Sequence, residues 1–406
     1  MSPARGRRLH IGLAAMNHPR PGGGGGLDIY TRQIVEALAD LDNQHDYTVL
    51  VSENNLPDWS WRSWPAHVRV YGLRRFEPRQ NLGVRAYRRW RRARGLPVPP
   101  HYGEPYLIRQ IAELGLDLLH FPDTLIEPLG ITVPCVLTVF DIQHEYLPEL
   151  FSRASLASRA ERYRPSVEKA VHVLAPSAFT RQSLIDKYGL PPAKVTLLPA
   201  AIDPLARPAT AADVERVRVR YRLEGPFFCY PANPWPHKNH ARLMAALRLY
   251  RDQFGPPPLL VLTGRLAPET HSGAEFALAA GVEAWVRDLG FVPQADLAGL
   301  FGGAEFMIFP SLFEGFGLPI LEAFAYACPV AAAAVTSLPE IAGDAALYFD
   351  PYQPSEIAEA IQRLHTEPGL RRELVERGRQ RLAPYAWACL VPQLIHQYEQ
   401  IAAQLP

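Results

Sequence analysis

The chain has 406 residues, enough for two domains of ordinary size. Its 48% hydrophobic and 20% charged residues are a globular composition and exclude long disordered stretches. Its 42 basic and 41 acidic side chains leave no global field that would draw it to nucleic acid. Cys135, Cys229, Cys328 and Cys389 are too scattered to form a C-x-x-C pair. Neither a metal site nor a disulfide framework is expected, and a reduced, cytoplasmic setting is.

Arg5, Arg7 and Arg8 precede the apolar run Leu9 to Met16, and Asn17-His18-Pro19-Arg20 follows it instead of a small-residue cleavage site. This predicts a first β-strand, not a secretory leader. The run Gly22 to Gly26 separates it from a predicted helix over 28–41. Strands are predicted at 47–51 and 68–73. Between residues 69 and 94 ten arginines stand against the single acid Glu77, with Tyr87 and Trp90 among them. That segment reads either as a basic element meeting anionic lipid or a phosphorylated acceptor, or as a solvated helix. No recognised nucleic-acid module accompanies it. A helix over 104–114, strands at 116–121, 135–140 and 171–177, and a helix over 178–188 complete the first half.

The pattern weakens at Pro204 to Pro208 and restarts with strands at 227–232, 258–264, 286–292 and 305–311. Helices over 239–253, 294–302 and 318–327 follow or separate them. A helix over 387–404, after Pro384, is expected to return to the first domain. The domains are therefore 1–205, 206–383 and a C-terminal helical segment 384–406. Strand–helix alternation of this kind argues for parallel sheets built from βαβ units, two α/β domains with a cleft between them. The uncharged stretch Ala323 to Pro339 contains Pro329 and is too short to span a bilayer.

Ligands of open parallel sheets bind beyond the carboxyl ends of the strands. The strongest local signal has that placement. The strand EFMIFPS runs into Glu314-Gly315-Phe316-Gly317-Leu318, then a helix opening at Pro319 that carries Glu322, separated from Glu314 by seven residues. Glycines let a main chain approach a ligand, and the N–H groups of a helix start favour a phosphate. Carboxylates accept hydrogen bonds from hydroxyl pairs. A second segment, YPANPWPHKNH (230–240), also follows a strand, with Asn239 as an N-cap candidate and Lys238 placed to face a diphosphate. The glycine run, with Gly23, Gly24, Gly25 and Gly26, can line the cleft. Asp141 and His144 follow another strand, in TVFDIQHEYLPELFS (138–152), which makes His144 either a residue of the cleft loops or a surface histidine.

The string PSLFEGFGLPILEAFAYACPV (310–330), continued by TSLPEIAGDAALYFDP (336–351), resembles the donor signature of the retaining family-4 glycosyltransferases of the GT-B fold. The resemblance extends through SAFTRQSLIDKYG, KVTLLPAAID and 227–243, and is looser before residue 130. It implies two facing Rossmann-like domains, with Glu314 on donor-sugar hydroxyls and Glu322 on the nucleotide ribose. It further implies donor contacts from Asn233, His237, Lys238, Gly264, Arg265, Gly315, Phe316, Gly317 and Leu318, and catalysis by Lys238, Glu314 and Asp141. The partners implied are a nucleotide diphosphate sugar and a hydroxyl acceptor, glycan or lipid-linked glycan. No metal or other cofactor is implied, and the setting would be cytoplasmic, peripheral to the membrane at most. Ala232-Asn233 stands where the family carries Gly-Arg, so His237 or Arg265 is the expected replacement cation. Phe140 stands where the family carries His. The alternative is a non-catalytic partner that keeps the fold and binds a sugar or nucleotide.

Overall fold

The structure, a computed structural model, describes residues 7–16, 26–75, 89–90, 93–94, 104–202, 206–266 and 270–405. Gly22 to Gly25 and most of the arginine-rich segment lie outside these residues.

The first unit contains strands β1 (His10–Ala14), β2 (Asp46–Ser52), β3 (Val68–Leu73), β4 (Leu118–Phe121), β5 (Cys135–Thr138), β6 (His172–Ala175) and β7 (Val195–Leu197). They pair in parallel in the order β3-β2-β1-β4-β5-β6-β7. Its helices are α1 (Gly26–Leu41), α2 (Glu104–Ala112), α3 (Arg153–Lys169) and α4 (Ala178–Tyr188). The second unit contains β8 (Phe227–Pro231), β9 (Leu259–Thr263), β10 (Val286–Asp288), β11 (Met307–Phe309), β12 (Val330–Ala333) and β13 (Ala346–Phe349). These too pair in parallel, in the order β10-β9-β8-β11-β12-β13. Around them lie α5 (Ala211–Tyr221), α6 (His240–Phe254), α7 (Gly273–Ala280), α8 (Gln294–Gly303), α9 (Leu318–Ala325), α10 (Leu338–Ala342), α11 (Pro354–Thr366) and α12 (Pro368–Arg381).

The central strands β4, β5 and β12 are buried along their whole length, as parallel strands covered by helices on both faces must be. Helix α1 turns Tyr30, Ile34, Val35 and Leu38 inward, one apolar stripe at helical spacing. Ser177 caps α4 by accepting the Thr180 N–H at 3.0 Å. Several elements were not legible in the sequence pattern. In α5 the alternation VERVRVRY imitates a strand, but the Thr210–Asp213 capping box starts a helix there. Helix α3 buries only Ser166 and Val167, so it shows no apolar stripe. Strand β12 is VAAA, a sequence with little strand preference that is held by its two neighbours.

At the end of the first unit the Ile202 N–H donates to the Tyr385 carbonyl at 3.0 Å, which ties that end to the returning chain. Helix α13 (Trp387–Gln404) then lies against the first unit. Trp387 packs on Tyr30 of α1, ring centres 5.8 Å apart. The Tyr398 hydroxyl meets His120 Nδ1 at 2.6 Å, and His120 Nε2 meets the Thr138 hydroxyl at 2.8 Å, all three buried between the helix and the sheet. One apolar cluster runs from the α1 face of the first sheet through α13 into the second unit, while α2, α3 and α4 close the other face of the first sheet. Among the described residues no helix is long and apolar enough to cross a membrane.

Candidate active site

Each sheet reverses its strand order at one place, between β1 and β4 in the first and between β8 and β11 in the second. The loops leaving two strands at such a point diverge and open a crevice. The loops after β8 and β11 are 232–239 and 310–317, the two segments singled out by their chemistry. The Leu312 N–H donates to the His237 carbonyl at 2.7 Å and ties the loops together.

Lys238 and Glu314 meet across this crevice. The Lys238 Nζ lies 2.5 Å from Glu314 Oε1, with the two side chains only 16% and 13% exposed. The Lys238 ammonium also lies over the Phe309 ring, 5.4 Å from its centre. The Tyr230 hydroxyl donates to the Lys238 carbonyl at 2.8 Å. The structure therefore joins in one ion pair two residues that the sequence suggested for separate parts of a donor. A charged pair so placed can reorganise: an arriving phosphate takes the ammonium, and the carboxylate turns to hydroxyls.

Glu322 is half-buried in α9, one turn from the helix start at Gly317, whose φ is +107°. Asn239 occupies the N-cap position of α6 in the left-handed conformation, but its side chain does not cap the helix. Its Nδ2 instead donates to the carbonyls of Pro310 and Pro351 at 3.0 and 2.8 Å, a staple between loops. Asn233 Oδ1 accepts the Arg265 N–H at 2.7 Å. Gly264 is required at that crossing, since a Cβ would lie 2.5 Å from the Ala232 carbonyl oxygen.

Three expectations change. Burial, with Lys238 and His240 beside it, drives the His237 pKa down to about 2, so His237 stands neutral beside the lysine and not as the cation expected there. Arg265 is exposed, its guanidinium 4.1 Å from the centre of the Phe291 ring. Arg159 of α3, unsuspected from sequence, lies within electrostatic reach of both His237 and Asp141. Phe316 is buried and edge-on to Tyr385 at 5.9 Å, so only its main chain can face a ligand. His144 does not line the cleft as a loop residue: it is buried against Tyr163, with Nε2 3.2 Å from the Tyr188 hydroxyl, and burial lowers its pKa to about 4.

The first unit reaches the same place through the end of β5. A Cβ on Gly315 would lie 1.9 Å from the Phe140 carbonyl oxygen and 2.8 Å from Asp141 Cβ. Gly315 is thus demanded by the facing domain and not only by ligand approach. Burial raises the Asp141 pKa, and the nearby Glu314 charge adds to the effect. Phe140 points its ring edge-on to Tyr30, centres 4.9 Å apart. Gly26, the described end of the glycine run, has open space at its Cβ position.

Two family models cover most of the chain: "Glycosyltransferase Family 4" matches residues 24–204 and "Glycosyl transferases group 1" matches 213–381. The chain belongs to the family-4 glycosyltransferases. Among relatives, it is 29% identical to the O-antigen chain mannosyltransferase B of Escherichia coli over 65% of this chain and 70% of that one. It is 26% identical to the D-inositol 3-phosphate glycosyltransferase of Salinispora arenicola over 100% of this chain and 94% of that one. It spans only 28% of the length of the serotype-specific mannosyltransferase WbdA of Escherichia coli. The sucrose-phosphate synthase of Thermosynechococcus elongatus superposes with a TM-score of 0.71 at 21% identity, covering 98% of this chain and 100% of that one. Anabaena HepE in complex with UDP-glucose gives 0.70 at 16% identity, covering 97% and 100%. The fold of this glycosyltransferase is GT-B.

Proposed function

We propose that this glycosyltransferase moves a hexose from a nucleotide diphosphate sugar to a hydroxyl of a glycan or lipid-linked glycan, with retention of configuration. The observation that carries this reading is the Lys238–Glu314 pair at the switch point of the second sheet, beside the start of α9. Lys238 and the α9 N–H groups would hold the diphosphate and stabilise the charge it gains as the leaving group. Glu322 would hold the ribose, and Glu314, released from Lys238, the sugar. Asp141, whose proton is held more tightly than an ordinary carboxyl's, would face the sugar from the other domain. The acceptor oxygen would attack the anomeric carbon on the face the diphosphate leaves, and its proton would pass to that phosphate. Mannose is the first sugar to test because relatives carry mannosyltransferase names, and the acceptor class follows from the O-antigen relative. No metal enters this scheme, so turnover should be unchanged in EDTA; loss of turnover there, restored by a divalent cation, removes that part.

The test is calorimetric titration of UDP-, GDP-, ADP- and dTDP-sugars, followed by Glu322→Ala. The best ligand should lose about 1–3 kcal/mol of binding in the variant, the cost of hydrogen bonds to a charged acceptor. Unchanged affinity would dismiss the ribose assignment. The second reading, a non-catalytic binding partner, is favoured by Phe140, which packs on Tyr30 where the family carries histidine. Binding without donor hydrolysis or transfer would establish it.

A further inference from the structure

Glu340 lies in the second unit, in α10, yet its carboxylate serves the first. Oε1 accepts the Ala178 N–H at 2.8 Å and Oε2 the Phe179 N–H at 3.3 Å. These are the first two residues of α4, whose opening N–H groups have no partner within the helix and carry its positive end. The backbone around Glu340 is braced from behind: Arg381 donates to the carbonyls of Glu340 and Ile341 at 2.9 and 3.0 Å.

The same end of α4 also grips the donor loop. The Ser177 and Thr180 hydroxyls donate to the Gly315 carbonyl at 2.7 and 2.9 Å. On the other side, Ser337, just before α10, donates to the carbonyls of Glu314 and Phe316 at 3.0 and 2.9 Å. Thr336 accepts the Glu314 N–H at 3.1 Å. The main chain of 314–316 is thus held by its own unit through 336–337 and by the facing unit through 177 and 180. Phe313 fills the space beneath, with ring centres 5.6 Å from Phe179 and 5.4 Å from Tyr146.

We propose that Glu340 is a positioning residue: by capping α4 from the opposite domain it holds the two units closed, and closure lets Ser177 and Thr180 set the Gly315 main chain and with it the Glu314 carboxylate. The proposal rests on the donor-site reading for its effect on turnover, but the closure it describes does not depend on which donor is used. A carboxylate suits the place because it offers two acceptors and a negative charge to two N–H groups at a helix start. Glutamine keeps one acceptor and no charge, and alanine keeps neither.

The experiment uses the full chain as wild type, Glu340→Gln, Glu340→Ala and Ser177→Ala. Binding of UDP and GDP is measured by calorimetry, turnover on UDP-glucose and GDP-mannose by product formation, and domain closure by small-angle scattering. Glu340→Ala should lower kcat at least tenfold, leave the nucleotide Kd and the donor KM within threefold, and raise the radius of gyration. Glu340→Gln should recover part of kcat. Ser177→Ala, on the other side of the contact, should lower kcat with the same unchanged Kd, and it carries the test should Glu340→Ala not fold. A kcat within twofold of wild type in both Glu340→Ala and Ser177→Ala overturns the proposal, as does a scattering profile identical to wild type in the variants. Parallel loss of nucleotide affinity also overturns it, because Glu340 would then merely support its own unit. If the wild type binds neither nucleotide, ADP and dTDP take their place; binding of none of the four makes the donor reading fail instead, and the scattering comparison still decides the closure.

Discussion

Lys238 and Glu314 are worth most when considered as a pair. Each neutralises the other in a largely buried setting, so removing either leaves a charge without its partner. Lys238→Ala should lower kcat/KM at least tenfold, about 1.4 kcal/mol of transition-state stabilisation, because the diphosphate gains charge as it leaves. Glu314→Ala should also lower kcat, and the double variant should lose less than the two single losses combined, since the residues share one interaction. Steady-state kinetics on the three variants checks this. Normal kinetics for Lys238→Ala would remove it as a phosphate clamp, and strictly additive losses would mean that the two residues act independently.

Among the elements, α13 most changes how the chain is read. It belongs to the first unit in space although it ends the chain, and its anchor is the Tyr398 hydroxyl on His120. Tyr398→Phe should destabilise the protein by about 1–3 kcal/mol, because a buried imidazole nitrogen loses its partner; an unmoved thermal midpoint would show that the apolar contacts of α13 suffice. The arginine-rich segment is a separate matter, predicted from composition. Within it, Arg94 stacks over Trp90, 4.5 Å from the ring centre, and both are exposed. If it meets anionic lipid, each basic residue adds about 1 kcal/mol that salt screens. Co-sedimentation with anionic vesicles should then be strong at low salt, weak at high salt, and lost on changing Arg88, Arg89, Arg91 and Arg92 to Ser. Equal sedimentation of the quadruple variant would reduce the segment to a solvated helix.

For the whole molecule, buried histidines add to the loss of stability in acid. Burial holds the His120 pKa near about 3 and lowers that of His144 to about 4, whereas both return to about 6.5 on unfolding. Between pH 6.5 and about 4 the unfolded chain binds protons that the native chain does not. Stability is therefore full above pH 6.5 and falls as pH drops, by about 1.4 kcal/mol per pH unit for each such histidine. Melting temperature followed across pH 8 to 4 should be level and then decline below 6.5. His144→Gln should make the decline shallower, and an unchanged slope would exclude His144 from it.

The strand runs 47–51 and 68–73, the helices 178–188 and 387–404, and the loops carrying Lys238, Glu314 and Glu322 were legible in the chain alone. Their information is local: apolar period, capping residues, and glycines at strand ends. The parts that were not legible depend on partners distant in sequence. Strand β12 takes its form from β11 and β13, and α3 has no stripe to announce it. His237 carries its cation-like neighbour Lys238 in plain view, yet only burial decides that it stays neutral. The need for glycine at 315 comes from Phe140, and the partner of Glu340 from α4, both across the domain boundary. Sequence determined which chemical groups this protein has and on which strand ends they stand. Tertiary structure decided which of them meet, because desolvation, ion pairing and interdomain hydrogen bonds depend on distances that no local pattern encodes.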